Sequence, residues 1–347
     1  MTAATTPRSA PVFSAPRWLR SPHIQTLSSA LPLWAPPRSF DAGAAERWRV
    51  PLPGGGALVA QGHFHASAAS ADPAPRTTVI VVHGVGGSSE SRCVVRAAAS
   101  LHRTGLNVLR LNLRGAGQSV EEAPALYHAG LTEDLRVSVD AALADRRVAD
   151  VALLGFSLGG NCALKLAGEW GDAFPDRVRG VAAVSPPFDL LEVSRWLERF
   201  AALPYRRYVL GGLVTQALDF ARRHPDRARY DAAALPRLRS IRTYDDRVIA
   251  PMHGFASAEA YYRSQSSGTY LSKIRLPALV VHALDDPMVP EHTVRPWLSE
   301  IPGHVDVALS DRGGHVGWFG GLGESHFVDT WAMRLVTRFL TNEKGKA

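Results

Sequence analysis

Five consecutive residues, Gly155-Phe156-Ser157-Leu158-Gly159, constrain this chain more than any other feature. An apolar run over residues 151–156 leads into the serine, and a helical pattern begins directly after it. A serine between a strand and a helix sits on a sharp, strained turn that lifts its hydroxyl out of the sheet. Glycines two residues away on either side remove the side chains that would collide there. The N-terminus of the helix that follows also favours negative charge nearby. This setting predicts Ser157 as a nucleophile, against the blander reading of a glycine-rich turn.

The surrounding pattern supplies the sheet that such a turn needs. Residues 46–66 alternate around Gly54-Gly55-Gly56, which predicts a hairpin. Short apolar runs at 78–82, 107–113, 151–156 and 181–184 then alternate with helical patterns at 92–104 and 133–149. Such repeats imply a mostly parallel, doubly wound α/β sheet covered by helices. Strand signals lapse between about 186 and 271, where Leu190, Val193, Leu197 and Phe200 share one helical face. They return at 279–283 and 305–309, and one helix is expected over 325–340, with Phe327, Trp331, Leu335 and Phe339 as its buried stripe. Residues 17–347 are therefore expected to form a single domain with a helical cap inserted at about 186–271. Residues 1–16, rich in Ala, Pro, Ser and Thr, are expected to be disordered.

A serine nucleophile needs amides to hold the developing oxyanion, a base, and an acid to orient that base. His83-Gly84-Val85-Gly86-Gly87 follows the 78–82 strand. The backbone N–H groups of Val85 and Leu158 are the expected oxyanion donors, the upstream one uncertain by a residue. In this kind of sheet the chain order is Ser, then Asp or Glu, then His. Asp285-Asp286-Pro287-Met288-Val289-Pro290 ends the 279–283 strand. Asp286 is preferred as the orienting acid and Asp285 is the alternative. Gly313-Gly314-His315 ends the last strand's loop, which makes His315 the expected base.

Composition removes other classes. Hydrophobic residues make up 46% and charged residues 20%, enough for a buried core. Arginines scattered along the chain produce a net charge of +7, without the run of like charges expected of a nucleic-acid-binding tail. That balance still leaves room for transient contact with an anionic membrane surface. Cys93 and Cys162, the only cysteines, have neither disulfide-scaffold nor zinc-ribbon spacing, and neither a metal nor another cofactor is expected. The N-terminal residues lack a basic start followed by an apolar stretch, and no run of 18 apolar residues occurs. The expectation is a cytoplasmic chain without a membrane span or a nucleic-acid partner.

Several motifs together resemble the YheT-like α/β-hydrolases, relatives of the α/β-hydrolase-domain lipases of animals. They are Ser21-Pro22-His23-Ile24-Gln25-Thr26, His83-Gly84 with Gly87-Ser88-Ser89, Gly155 to Asn161, Gly254-Phe255, Tyr261-Tyr262 and Asp285-Asp286-Pro287. The resemblance covers most of the chain and implies the α/β-hydrolase fold, a Ser–Asp–His triad and esterase or lipase-like activity on small-molecule acyl esters. Acyl transfer through the same acyl-enzyme is one alternative, and a non-catalytic binding protein on this fold is another. The apolar cap residues, Trp196, Phe200, Tyr205, Tyr208 and Phe220 among them, predict a greasy cleft beside Ser157, with Trp318 and Phe319 on its rim.

Overall fold

A computed structural model describes residues 12–30, 40, 44–65, 74–321 and 324–341. Eight strands form one sheet in the order β1-β2-β4-β3-β5-β6-β7-β8. They are β1 (Glu46–Pro51), β2 (Ala57–His63), β3 (Arg76–Val82), β4 (Asn107–Asn112), β5 (Val148–Phe156), β6 (Val178–Val184), β7 (Ala278–Ala283) and β8 (Asp306–Ser310). The β1–β2 hairpin joins β4 antiparallel, and every later pairing is parallel.

Side chains alternate across the pleat, and here both faces are apolar, as a sheet covered on two sides requires. Ile80, Val82, Val151, Leu153 and Val181 point into one core. Their neighbours Val79, Val81, Ala152, Leu154 and Ala182 point into the other. Helices α1 (Pro22–Ala30) and α2 (Arg92–Arg103) precede β4; α3 (Thr132–Ala144) and α4 (Leu158–Trp170) flank β5. Helix α2 and the helix Trp331–Leu340 cover the second core, while α3 and α4 cover the first. Between β6 and β7 the chain is wholly helical and turn-like, including α5 (Leu190–Leu197), α6 (Leu203–Arg223) and the helix Ala258–Gln265.

Register brings the parallel strands' C-terminal ends level: Val82 faces Gly155, Phe156 faces Val184, and Ala283 faces Ser310. The chain leaves β3 for β4 on one side and later returns to β5 on the other. The loops after β3 and β5 therefore diverge, leaving the crevice in which open α/β sheets place their sites.

Three local expectations are corrected. Helix α3 stops at Ala144 and Val148 opens β5, because Asp145 accepts from the Arg147 N–H and turns the chain. The helix expected over 325–340 is two, Glu324–Val328 and Trp331–Leu340, since Thr330 caps the second by accepting from the Met333 N–H. Of the N-terminal segment expected to be disordered, residues 1–11 lie outside the described residues. Residues 12–16 instead lay Ala15 and Phe13 against Leu19, Phe319 and Phe327.

Candidate active site

Ser157 occupies the junction of β5 and α4 with φ 50° and ψ −117°, a backbone conformation that a residue with a β-carbon rarely adopts. The flanking glycines are sterically required. A β-carbon on Gly155 would lie 2.2 Å from the Gly159 carbonyl oxygen, and one on Gly159 would lie 2.6 Å from the carbonyl oxygens of Val82 and His83. The same closeness packs the elbow onto the turn after β3, where a β-carbon on Gly84 would sit 3.3 Å from that of Ser157.

That turn narrows the choice of upstream amide. The Gly86 N–H donates to the Tyr127 hydroxyl at 2.7 Å, and the Gly87 N–H to the Gly84 carbonyl at 3.1 Å. Both are thereby engaged, whereas Val85 lines the cavities beside Ser157. Leu158 is the first residue of α4, where an N–H has no intrahelical partner. His83 ties the turn to the sheet. Its Nε2 accepts from the Leu113 N–H at 3.3 Å, which leaves Nδ1 to donate to the Gly84 carbonyl at 2.8 Å. Burial lowers its pKa to about 4, so the ring stays neutral and keeps this donor–acceptor pattern.

The two aspartates after β7 face different partners. Asp286 is buried and its Oδ2 lies 2.7 Å from His315 Nδ1, while its Oδ1 accepts from the N–H groups of Met288 and Val289 at 2.8 and 2.9 Å. Burial pushes this carboxyl up, but the facing imidazole, by charge and by hydrogen bond, outweighs it and holds the group below the usual carboxylate range. Asp285 accepts instead from the Gly314 N–H at 2.9 Å, and its Oδ2 is buried without a hydrogen-bond partner. His315 and Ser157 both line the same two cavities. The structure thus gathers Ser157, His315 and Asp286 into one cluster, with Val85 and Leu158 beside it and Asp285 one peptide aside.

Sequence reading left the N-terminal motif without a role. Here α1 packs on the loop that carries His315. Gln25 donates to the carbonyls of Leu19 and Phe319 at 3.0 and 3.1 Å and accepts from the Phe319 N–H at 2.8 Å. Thr26 Oγ1 accepts from the His315 N–H at 2.9 Å and donates to the Pro22 carbonyl at 2.7 Å. The loop needs this clamp because Gly314, Val316 and Trp318 all have positive φ. The cap holds the turn after β3 similarly. Gln216 of α6 donates to the Gly87 carbonyl at 2.8 Å, and a β-carbon on Gly212 would lie 3.2 Å from Gly86 Cα. The only sequence signal for that contact was the Gly211-Gly212 pair inside a helical pattern.

Two cavities meet at Ser157 and His315. One, of about 100 Å³, runs under the cap between Leu190, Val193, Leu197 and Leu213 toward Tyr262. The other, of about 520 Å³, lies between α1 and α6, with His23, Thr26, Glu90 and Tyr205 on its wall. His23 Nδ1 and Tyr205 Oη are 2.5 Å apart and join α1 to the cap. Several expected cleft residues lie elsewhere. Phe200 is 88% exposed, Phe220 is in the core, and Trp318 and Phe319 are buried away from both cavities. Trp196 donates from its indole to the Pro287 carbonyl at 2.9 Å and lines neither cavity. A one-face helical pattern marked Phe200 as inward, but the chain turns at Arg199 and sends it outward.

Asp245 was not singled out in the sequence, yet it borders the narrower cavity from a turn of π-helix, Asp245–Ile249. The Tyr262 hydroxyl donates to it. Burial raises its pKa to about 7. Among the described residues no cluster of His, Cys, Asp and Glu is arranged to hold a metal ion, and no helix is long and apolar enough to cross a membrane.

Residues 77–321 match the alpha/beta hydrolase fold family. The chain is 33% identical over 253 residues to "Putative esterase YheT" of Escherichia coli, covering 73% of each chain. It is 30% identical over 250 residues to a monoacylglycerol lipase of Saccharomyces cerevisiae, covering 70% of this chain and 54% of that protein, so it spans about half the yeast relative's length. The esterase Pf2001 of Pyrococcus furiosus shares the fold at a TM-score of 0.57 and 18% identity, over 96% of this chain and 99% of that one.

Proposed function

The chain belongs to the α/β-hydrolase fold family, and from that premise we propose that it hydrolyses carboxylic esters by nucleophilic catalysis at Ser157. The observation that carries this reading is the convergence on one pair of cavities of a strained serine and a histidine held by a buried aspartate. Neutral His315 accepts the proton of the Ser157 hydroxyl as Oγ attacks the ester carbonyl. The charge on the resulting oxyanion falls to the N–H groups of Val85 and Leu158. Collapse breaks the bond to the alcohol oxygen, which takes the proton back from His315 and departs. Water, activated by the same histidine, then cleaves the acyl-enzyme. Asp286 holds the imidazole with Nε2 toward the serine and stabilises it when charged.

Leu158 borders the narrow apolar cavity and not the wider one, which supports the narrow cavity as the seat of the acyl chain. The wider cavity, with its histidine, glutamate and tyrosine, then takes the alcohol. Relatives named as esterases and a monoacylglycerol lipase support an acyl ester as substrate. Fluorophosphonate labelling and p-nitrophenyl butyrate turnover test the reading. Ser157→Ala should abolish labelling and lower kcat by about 10⁴–10⁶. Labelling and turnover surviving in that variant would refute Ser157 as the nucleophile.

A further inference from the structure

Among the described residues, large apolar side chains on the surface are few and gathered. All seven such exposed residues fall on two segments: Val12, Trp18, Ile24 and Leu27 within residues 12–30, and Phe200, Tyr208 and Leu218 on the cap. Leu27, 52% exposed, and Tyr208, 67% exposed, stand on opposite walls of the wider cavity and mark its mouth. Phe200 and Ile24, 88% and 44% exposed, lie on the same two segments without lining either cavity. Gathered exposed apolar side chains of this size mark an interaction surface.

Charge identifies the partner. Residues 12–30 and 199–218, the two segments that carry these side chains, contain no aspartate or glutamate. They contribute Arg17, Arg20, Arg199 and Arg207, all exposed. The acid on the cavity wall, Glu90, is engaged by Arg110. An apolar patch that shares its two segments with exposed cations and borders a cavity leading to Ser157 fits an anionic lipid surface. Apolar side chains would enter the acyl boundary and the arginines would meet the headgroups.

We propose that the face formed by the N-terminal helical segment and the leading side of the cap docks on anionic phospholipid bilayers and so presents the mouth of the wider cavity to the membrane. An ester drawn from the bilayer would pass Ser157 acyl end first, its alcohol trailing at the interface. The docking surface is separate from the triad, so binding can be read without turnover.

Co-sedimentation of the full chain with vesicles of phosphatidylcholine, with and without phosphatidylglycerol, tests the proposal. The protein should pellet with phosphatidylglycerol vesicles, less with phosphatidylcholine alone, and less as salt rises. Phe200→Glu and Ile24→Glu should each weaken partitioning by roughly ten-fold or more, since each withdraws a large side chain from the apolar phase. Both variants should melt as the wild type does and hydrolyse soluble p-nitrophenyl acetate at the wild-type rate. Failure of the wild type to bind, wild-type binding by both variants, or equal binding to both vesicle types would overturn the proposal. So would a wild-type dimer that these substitutions dissociate, which would make a second copy the occupant.

Discussion

Which of two neighbouring carboxylates serves the histidine is decided by a single peptide. Asp286 is pinned by two backbone N–H groups with one oxygen directed at the His315 ring, whereas Asp285 is spent on the Gly314 N–H. Asp286→Asn should therefore lower kcat about 10⁴-fold by losing control of the imidazole, and Asp285→Asn should act mildly. Steady-state kinetics on one soluble ester would check the ranking, and the reverse order would move the orienting role by one residue. Thr26 acts one step further out, through the N–H that it accepts from His315. Thr26→Val should lower kcat by about ten-fold with KM little changed, and Thr26→Ser should restore it. A Thr26→Val protein with normal kcat would reduce that contact to packing. That the serine, the histidine and the adjacent aspartates would lie together was legible because a nucleophile elbow and strand-end loops have local signatures. The roles of Gln25 and Thr26 were not, because their partners lie 294 and 289 residues away and no periodicity reports such a pairing.

Among the elements, the cap combines the clearest and the least clear parts of the sequence. Its helical character showed in the lapse of the strand signals, and Leu190, Val193 and Leu197 do line the narrow cavity. Apolar character alone could not say that Phe200 and Tyr208 face outward while Phe220 fills the core, since that depends on where α5 ends and α6 begins. The chain-length preference expected of a greasy cleft thus moves to other side chains. kcat/KM for p-nitrophenyl esters should climb from acetate by roughly four-fold per methylene until the narrow cavity is full. Val193→Trp should end the climb earlier and leave acetate turnover intact. A profile that falls steadily from acetate, or one that Val193→Trp does not change, would exclude that cavity as the acyl site. The contact of α6 with the turn proposed to hold the oxyanion has its own consequence. Gly212→Leu would drive a side chain into Gly86, so kcat should fall for every chain length alike, as the same ester series would show.

For the whole molecule, the buried acid of the cap sets a stability trend opposite to that of a paired carboxylate. Asp245 titrates near 7 when folded, because burial disfavours its charge, and near 4 when unfolded. Between these values the native state retains a proton that the unfolded chain has released. Stability is therefore lost as pH rises from about 4 to about 7 and stays reduced above that range. Asp245→Asn should flatten this part of the melting-temperature profile, and parallel profiles for variant and wild type would show that Asp245 does not cause it. The sheet and its two cores were largely legible because strand and helix periods are local. The joining of the first helix to the last loop was not, and it bears on how the protein comes into being. The loop that carries His315 is clamped by residues made 289 and 294 positions before their partners. A ribosome-bound chain can wind β3, β5 and the nucleophile elbow long before that clamp can close. Ser157 is thus in place well before the histidine proposed as its base has been made. On the proposed mechanism, chemistry waits until the first helix and the last loop of the described fold are tied together.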